Sequence, residues 1–124
     1  MKVLIAEDEI YSAMALQQLL ETQGHEVKVA YDGNQAWAMY QKGGFQLGIL
    51  DADMPGLNGY ELAQHIRDHE KKSGLRPILL IHFSGYSLPE DEVEKKGFDG
   101  QIQKPIYEPE ALFKFINKVI LARS

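Results

Sequence analysis

The sequence contains no cysteine, no long apolar run and no cluster of basic residues. Without cysteine, neither disulfides nor thiolate metal sites can form, and this composition permits a cytoplasmic location. No run approaches the roughly 18 apolar residues of a membrane span, and the apolar part of the N-terminal segment MKVLIAEDE is too short for a signal peptide. We therefore expect a soluble cytoplasmic protein that makes no membrane contact.

The charged residues limit the class of partner. The formal net charge is -5, and the Lys and Arg residues are scattered along the chain. Because proteins bind a phosphate backbone through a basic patch or stripe, we expect no direct contact with nucleic acid. The chain has 124 residues, 44% of them hydrophobic, and no linker-like segment, so we expect a single domain over residues 1–124.

Short apolar segments alternate with longer amphipathic segments along the chain. The apolar segments predict five strands, at residues 2–6, 26–30, 46–51, 77–83 and 100–103. The amphipathic segments predict five helices, at residues 10–22, 34–42, 59–72, 89–96 and 108–122. Strict alternation predicts an α/β protein with a parallel sheet covered on both faces. For five strands we expect the doubly wound, flavodoxin-like order 2-1-3-4-5, with a crevice beyond the carboxyl ends of strands 1 and 3.

Acidic residues follow both strands that border this crevice. Glu7, Asp8 and Glu9 come after strand 1, and Asp51 ends strand 3 with Asp53 just beyond it. The run EDE alone is equally consistent with the acidic first turn of a helix. Its convergence with Asp51 favours a site for a divalent cation, because clustered carboxylates repel one another unless a cation lies among them. Few carboxylates with room for water and phosphate oxygens suit Mg²⁺.

A lysine follows the fifth predicted strand. Strand 5 ends in the sequence IQKP, which places Lys104 at the same edge of the sheet as the acidic residues. A lone lysine before a proline is usually a surface residue. At the carboxyl end of a strand in this sheet, the flexible ammonium group of Lys104 becomes a candidate contact for a phosphate.

The segments VLIAEDE, ILDADMPGLNGYEL and GFDGQIQKPI together resemble the receiver domain of two-component response regulators, and the resemblance runs from residue 2 to 121. It implies that Asp51 is the phosphoacceptor and that Glu7 and Asp8 hold Mg²⁺ together with Asp51. It further implies that Asp53 offers its backbone carbonyl to the metal and that Lys104 pairs with the phosphoryl group. A cis peptide bond between Lys104 and Pro105 is also implied.

The sequence departs from the family pattern at the end of strand 4, where receivers usually place Thr or Ser and then a small residue. Spacing from Pro77 and from Lys104 assigns this position to His82, which is followed by the bulky Phe83. The chemistry favours Ser84, a hydroxyl followed by glycine. His82 and Ser84 face the same side if the strand continues through both. We expect His82 at the usual position, with Ser84 as a possible substitute donor.

A second departure lies three residues before the lysine. Receivers tend to carry Tyr or Phe there, a ring that swings inward when the hydroxyl moves, and this switch position is occupied by Gln101. With both partners altered, two hypotheses remain. Phosphorylation is transmitted by a different rearrangement, or the domain receives a phosphoryl group mainly to store it or pass it on.

The resemblance implies a phosphoacceptor that takes a phosphoryl group from phosphohistidine, on a sensor histidine kinase or a phosphotransfer protein. Such a domain catalyses only its own phosphoryl transfer and dephosphorylation. Because no output domain follows residue 122, we expect signalling through contacts with a downstream protein, by a stand-alone regulator or an excised receiver.

Two alternatives stay open at this point. The first is a degenerate receiver that binds a partner without being phosphorylated, a hypothesis motivated by His82, Phe83 and Gln101. The second is a small phosphohydrolase, since LDADM also resembles the Asp-x-Asp motif of haloacid-dehalogenase-like enzymes, with Asp51 as nucleophile and Asp53 as general acid.

Overall fold

A computed structural model describes residues 1–123 of the chain, in which five strands alternate with five helices. The strands are β1 Lys2–Ala6, β2 Glu26–Ala30, β3 Leu47–Asp51, β4 Leu79–Ser84 and β5 Gly100–Gln103. The helices are α1 Ile10–Thr22, α2 Gly33–Gln41, α3 Gly59–Ser73, α4 Glu90–Lys95 and α5 Pro109–Arg123. Within the described residues, no helix combines the length and the apolar character that crossing a membrane requires.

The strands form one parallel sheet in the order β2-β1-β3-β4-β5, which confirms the predicted fold class. Most element boundaries agree with the prediction to within one residue. The largest difference is at β4, which begins at Leu79 and not at Pro77. Proline has no N–H to donate, and the N–H of Ile78 donates to the Glu70 carboxylate at 2.6 Å, so neither residue donates to the sheet from its backbone.

Each face of the sheet has its own hydrophobic core. One core lies under α2, α3 and α4 and includes Leu4, Leu50, Leu62, Ile66 and Leu80. The other lies under α1 and α5 and includes Ile5, Leu16, Ile49, Ile81 and Leu112. Every residue of β3 is buried, as expected for the central strand of a sheet that is covered on both faces.

The carboxyl end of β3 is held closely by the start of α3. A Cβ atom at Gly59 would lie 2.3 Å from the backbone oxygen of Asp51, so only glycine allows this approach. The N–H of Gly59 donates to the carbonyl of Ala52 at 3.2 Å. Asn58 then begins α3 with a capping box, in which Asn58 and Glu61 each bond the backbone of the other. This packing fixes the end of β3, where the acidic residues lie.

Candidate functional site

Asp51 is the last residue of β3 and lies at the crevice between the ends of β1 and β3. Only 4% of its surface is exposed. The backbone N–H of Asp53 donates to Asp51 Oδ1 at 3.2 Å, which fixes one oxygen of the carboxylate. The side chain of Asp53 itself is exposed. Asp51 is therefore a buried, oriented carboxylate at the edge of the sheet.

The acidic residues of the run EDE after β1 lie in two different environments. Glu7 is fully buried and Asp8 is exposed, and carboxylate oxygens of both lie within 4.8 Å of one another and of a carboxylate oxygen of Asp51. Glu9 instead caps α1 by accepting bonds from the N–H groups of Tyr11 and Ser12, at 3.1 and 2.7 Å. Glu9 therefore belongs to the start of α1, whereas Glu7 and Asp8 lie beside Asp51.

Lys104 lies at the same edge, directly after β5 and before a cis peptide bond to Pro105. Its Nζ is 2.6 Å from Glu7 Oε2 and 3.4 Å from Asp51 Oδ1. Burial alone would lower the pKa of Lys104, but its hydrogen bonds and charge interactions with Glu7 and Asp51 outweigh burial and raise the pKa. The side chain therefore stays positively charged between two carboxylates.

The site holds more negative than positive charge. Burial, with a smaller contribution from the neighbouring Glu7, raises the pKa of Asp51 to about 7, although the N–H of Asp53 and the ammonium of Lys104 act in the opposite direction. One lysine faces three carboxylates, and the three oxygens are the hard ligands that Mg²⁺ prefers. The donor set therefore fits a divalent cation.

His82 and Ser84 are both within β4, so the strand does continue through the two candidate positions. His82 is fully buried, and its Nε2 lies 3.0 Å from the hydroxyl of Tyr60. The Tyr60 hydroxyl lies 2.9 Å from that of Tyr86, and the N–H of Tyr86 donates to Ser84 Oγ at 3.4 Å. The hydrogen bonds of His82 and Ser84 are thus directed toward these two tyrosines.

The Tyr60–His82 pair was missed by the sequence reasoning. Burial lowers the pKa of His82, which favours the neutral imidazole, and Nδ1 has no hydrogen-bond partner among the described residues. Tyr60 comes from α3, 22 residues before His82, and neither residue has a spacing that indicates contact with the other. A sequence signal exists only in hindsight, as an aromatic residue in the first turn of α3.

Phe83 stands where receivers usually have a small residue, and Gln101 stands where they tend to have a mobile aromatic ring. Both side chains make defined contacts in this structure. The ring of Phe83 is 2% exposed, packs in the core under α1 and α5, and lies 4.8 Å from Lys104 Nζ. Gln101 is half-buried, and its amide makes two hydrogen bonds with the backbone of Leu88. Gln101 is therefore held against the segment that follows β4.

Comparison with known proteins identifies the family of this chain. The family model of the response regulator receiver domain matches residues 3–117 of the sequence. The chain belongs to this receiver family. The receiver is 36% identical over 111 residues to the virulence sensor protein BvgS of Bordetella bronchiseptica, a match that covers 86% of this chain and 9% of BvgS. It therefore spans only a small part of that relative.

Two solved structures share the fold over nearly the whole receiver. A chain in the co-crystal structure of Saccharomyces cerevisiae Ypd1 with the Ssk1 receiver domain superposes with a TM-score of 0.85 at 28% identity, covering 94% of this chain and 86% of that one. The response regulator TrrA of Thermotoga maritima, in complex with Mg²⁺-BeF, gives 0.81 at 26% identity, covering 95% and 97%.

Proposed function

We propose that this receiver accepts a phosphoryl group on Asp51 from a phosphohistidine of a sensor histidine kinase or phosphotransfer protein, with Mg²⁺ as cofactor. One observation carries the proposal: the buried Asp51 carboxylate lies 3.4 Å from the Lys104 ammonium and within 4.8 Å of two further carboxylates. The related structures support the donor and the metal, since one contains a histidine phosphotransfer protein and another contains Mg²⁺-BeF.

In the proposed reaction, a carboxylate oxygen of Asp51 attacks the phosphorus of the donor phosphohistidine. A P–O bond forms as the P–N bond breaks, and the electron pair of the P–N bond stays on the imidazole nitrogen. The donor ring leaves as neutral imidazole because its other nitrogen carries a proton. Lys104 contributes a fixed positive charge for the phosphoryl oxygens, and the N–H of Asp53 keeps the carboxylate oriented.

Glu7 and Asp8, with Asp51, are the residues that would hold Mg²⁺, together with the backbone carbonyl of Asp53 that the family resemblance implies. When bound, Mg²⁺ would offset the carboxylate charge, favour the ionised form of Asp51 and orient the phosphoryl oxygens. Glu7 also positions Lys104 through the 2.6 Å ion pair, so the same buried carboxylate serves both cations. The usual hydroxyl position stays assigned to His82, with Ser84 as the substitute.

The proposal extends to the cellular role of the receiver. We infer that residues 1–124 form one cytoplasmic receiver domain of a two-component phosphorelay, which signals through a downstream protein partner. Its catalysis is confined to its own phosphorylation and dephosphorylation. We expect no direct contact with nucleic acid or membrane.

The decisive experiment is intact-protein mass spectrometry after incubation with acetyl phosphate, with and without Mg²⁺. We expect one phosphoryl adduct that requires Mg²⁺ and is lost in Asp51→Asn. Asp68→Asn, which changes an exposed acid on α3, is the matched control and should keep the adduct.

A binding-only receiver is the second candidate, because the group at the usual hydroxyl position is an imidazole already bonded to Tyr60. It predicts no adduct with any donor, including a phosphohistidine protein, and unchanged partner binding in Asp51→Asn. That pair of results would replace the first proposal.

A further inference from the structure

The segment that joins β4 to α4, residues 85–89, is an exposed loop that makes several side-chain hydrogen bonds to the rest of the protein. Gly85, Tyr86 and Ser87 are all exposed, and Leu88 is only half-buried. Segments with few buried apolar contacts generally open easily. Side chains of β5 and α3 nevertheless make hydrogen bonds to this loop.

Two glutamines of β5 make the first set of contacts. Gln101 and Gln103 are two residues apart in the strand, so both side chains lie on the same side of the sheet. Gln101 accepts from the N–H of Leu88 at 2.7 Å and donates to the carbonyl of the same residue at 2.9 Å. Gln103 donates to the carbonyl of Gly85 at 3.1 Å and accepts from the Ser87 hydroxyl at 3.2 Å. We call these four bonds the glutamine clamp.

The second set of contacts involves Tyr60 of α3. The hydroxyl of Tyr86 bonds that of Tyr60 on α3, which in turn bonds the buried His82. The Tyr60 ring stacks on the His82 ring, and Lys96 Nζ lies 4.8 Å from the centre of the Tyr60 ring. The loop is thus hydrogen-bonded to both β5 and α3.

We propose that the glutamine clamp fixes the β4–α4 loop in one conformation whether or not Asp51 carries a phosphoryl group. The family coupling needs a ring at position 101 that moves freely and a hydroxyl at the position of His82. Here the amide of Gln101 would have to break two hydrogen bonds to the main chain of Leu88 before it could move. Gln101 and Gln103 are therefore positioning residues for the loop.

The clamp changes what a partner would recognise. If the loop stays in place, the phosphorylated and unphosphorylated receivers present the same surface beside α4 and β5. The difference between the two states is then local to Asp51, where phosphorylation adds close to two negative charges and three acceptor oxygens. This part of the inference rests on the proposed function, whereas the clamp itself does not.

Hydrogen exchange of the Leu88 amide tests the clamp directly, because that N–H donates to Gln101. We would measure it by NMR in the wild-type protein alone, in the protein with Mg²⁺ and beryllofluoride, and in Gln101→Ala and Gln103→Ala. Gln18→Ala, which removes an exposed glutamine from α1, is the matched control. Intact mass after acetyl phosphate treatment reports separately on phosphorylation.

We expect exchange of the Leu88 amide to be about tenfold faster or more in Gln101→Ala, with a smaller increase in Gln103→Ala and none in the control. In the wild-type protein the rate should be the same with and without Mg²⁺ and beryllofluoride. Unchanged exchange in Gln101→Ala, or faster exchange in the wild-type protein with Mg²⁺ and beryllofluoride, would overturn the proposal. Failure to form any adduct would contradict the proposed function, and the Gln101→Ala result would still decide whether the clamp exists.

Discussion

Two clusters of charged residues lie at opposite ends of the strands and differ in how well their charges are compensated. Glu7, Asp8, Asp51 and Lys104 form the acidic site at the carboxyl ends of the strands. A second cluster, which we call the arginine latch, consists of Arg67, Glu70 and Asp99 near the amino ends of β4 and β5. The comparison separates charge that maintains the fold from charge that is available for chemistry.

Both carboxylate oxygens of Glu70 are bonded in the arginine latch. Glu70 is 3% exposed, and one oxygen accepts from Arg67 at 2.8 Å while the other accepts from the N–H of Ile78 at 2.6 Å. Arg67 also donates to the carbonyls of Gly97 and Ile78 and to Asp99, at 3.0, 2.8 and 3.0 Å. The buried Glu70 carboxylate is thus paired and hydrogen-bonded at both oxygens, and it connects α3 to the segment before β4.

The acidic site has the opposite character. Lys104 divides its contacts between Glu7 and Asp51, and burial together with the charge of Glu7 raises the pKa of Asp51. Perturbed carboxylates in a cleft are typical of functional sites. The difference predicts that changes in the latch reduce stability, whereas changes in the acidic site alter chemistry.

The largest expected effect is on stability, from Arg67→Met. This change leaves the buried Glu70 carboxylate without its ion-pair partner, and we expect the free energy of unfolding to fall by about 3 kcal/mol. Urea denaturation followed by circular dichroism would measure the loss. The folded fraction should still form the Asp51 adduct.

Lys71→Met is the matched control, since it removes an exposed cation from the same helix and should change stability by less than about 0.5 kcal/mol. Equal stability of the two variants would show that the latch is not a structural element.

A smaller effect, of opposite sign, is expected in the acidic site. The pKa of Asp51 is raised from 3.8 to about 7, so the folded state binds a proton more tightly than the unfolded state. The tighter proton binding by folded Asp51 therefore stabilises the protein fully below about pH 4, and this stabilisation is lost as the pH rises through about 7. In EDTA at pH 8, Asp51→Asn should be more stable than the wild-type protein by about 2 kcal/mol, because it carries no charge.

Urea titrations at pH 8 and pH 5 would test this dependence on pH. The stability difference between Asp51→Asn and wild type should shrink at the lower pH, where the wild-type carboxyl is protonated in the folded state. A constant difference, or a less stable variant at pH 8, would mean that the charge of Asp51 is better compensated than the geometry indicates.

The fold was largely predictable from the sequence because its signals are local. Each strand is a short apolar run and each helix an amphipathic one, and the alternation of the two restricts the topology to a few forms. The boundary at β4 was less accurate because Glu70, a residue of α3, takes the N–H of Ile78. A tertiary contact of this kind leaves no trace in the periodicity of the strand.

The candidate site was likewise predictable only in part. Glu7, Asp8, Asp51 and Lys104 were predicted because strand ends and topology alone bring them to one edge. The contacts of Tyr60 with His82 and of Gln101 with Leu88 depend on rotamers and loop geometry, which no spacing rule gives. The assignment of His82 or Ser84 to the phosphoryl contact stays a prediction for this reason.

The smallest expected effect distinguishes adjacent residues of the run EDE. Glu9 caps α1 through two backbone N–H groups, so Glu9→Ala should lower the free energy of unfolding by about 1 kcal/mol and leave Mg²⁺ affinity unchanged. Asp8 is exposed and lies within the carboxylate cluster, so Asp8→Ala should change stability by less than about 0.5 kcal/mol and weaken Mg²⁺ about tenfold. Urea denaturation and calorimetric Mg²⁺ titration of both variants would measure the two effects. If Glu9→Ala weakened Mg²⁺ as much as Asp8→Ala does, the division of the run between helix cap and metal site would be wrong, and all three acids would act together on the cation.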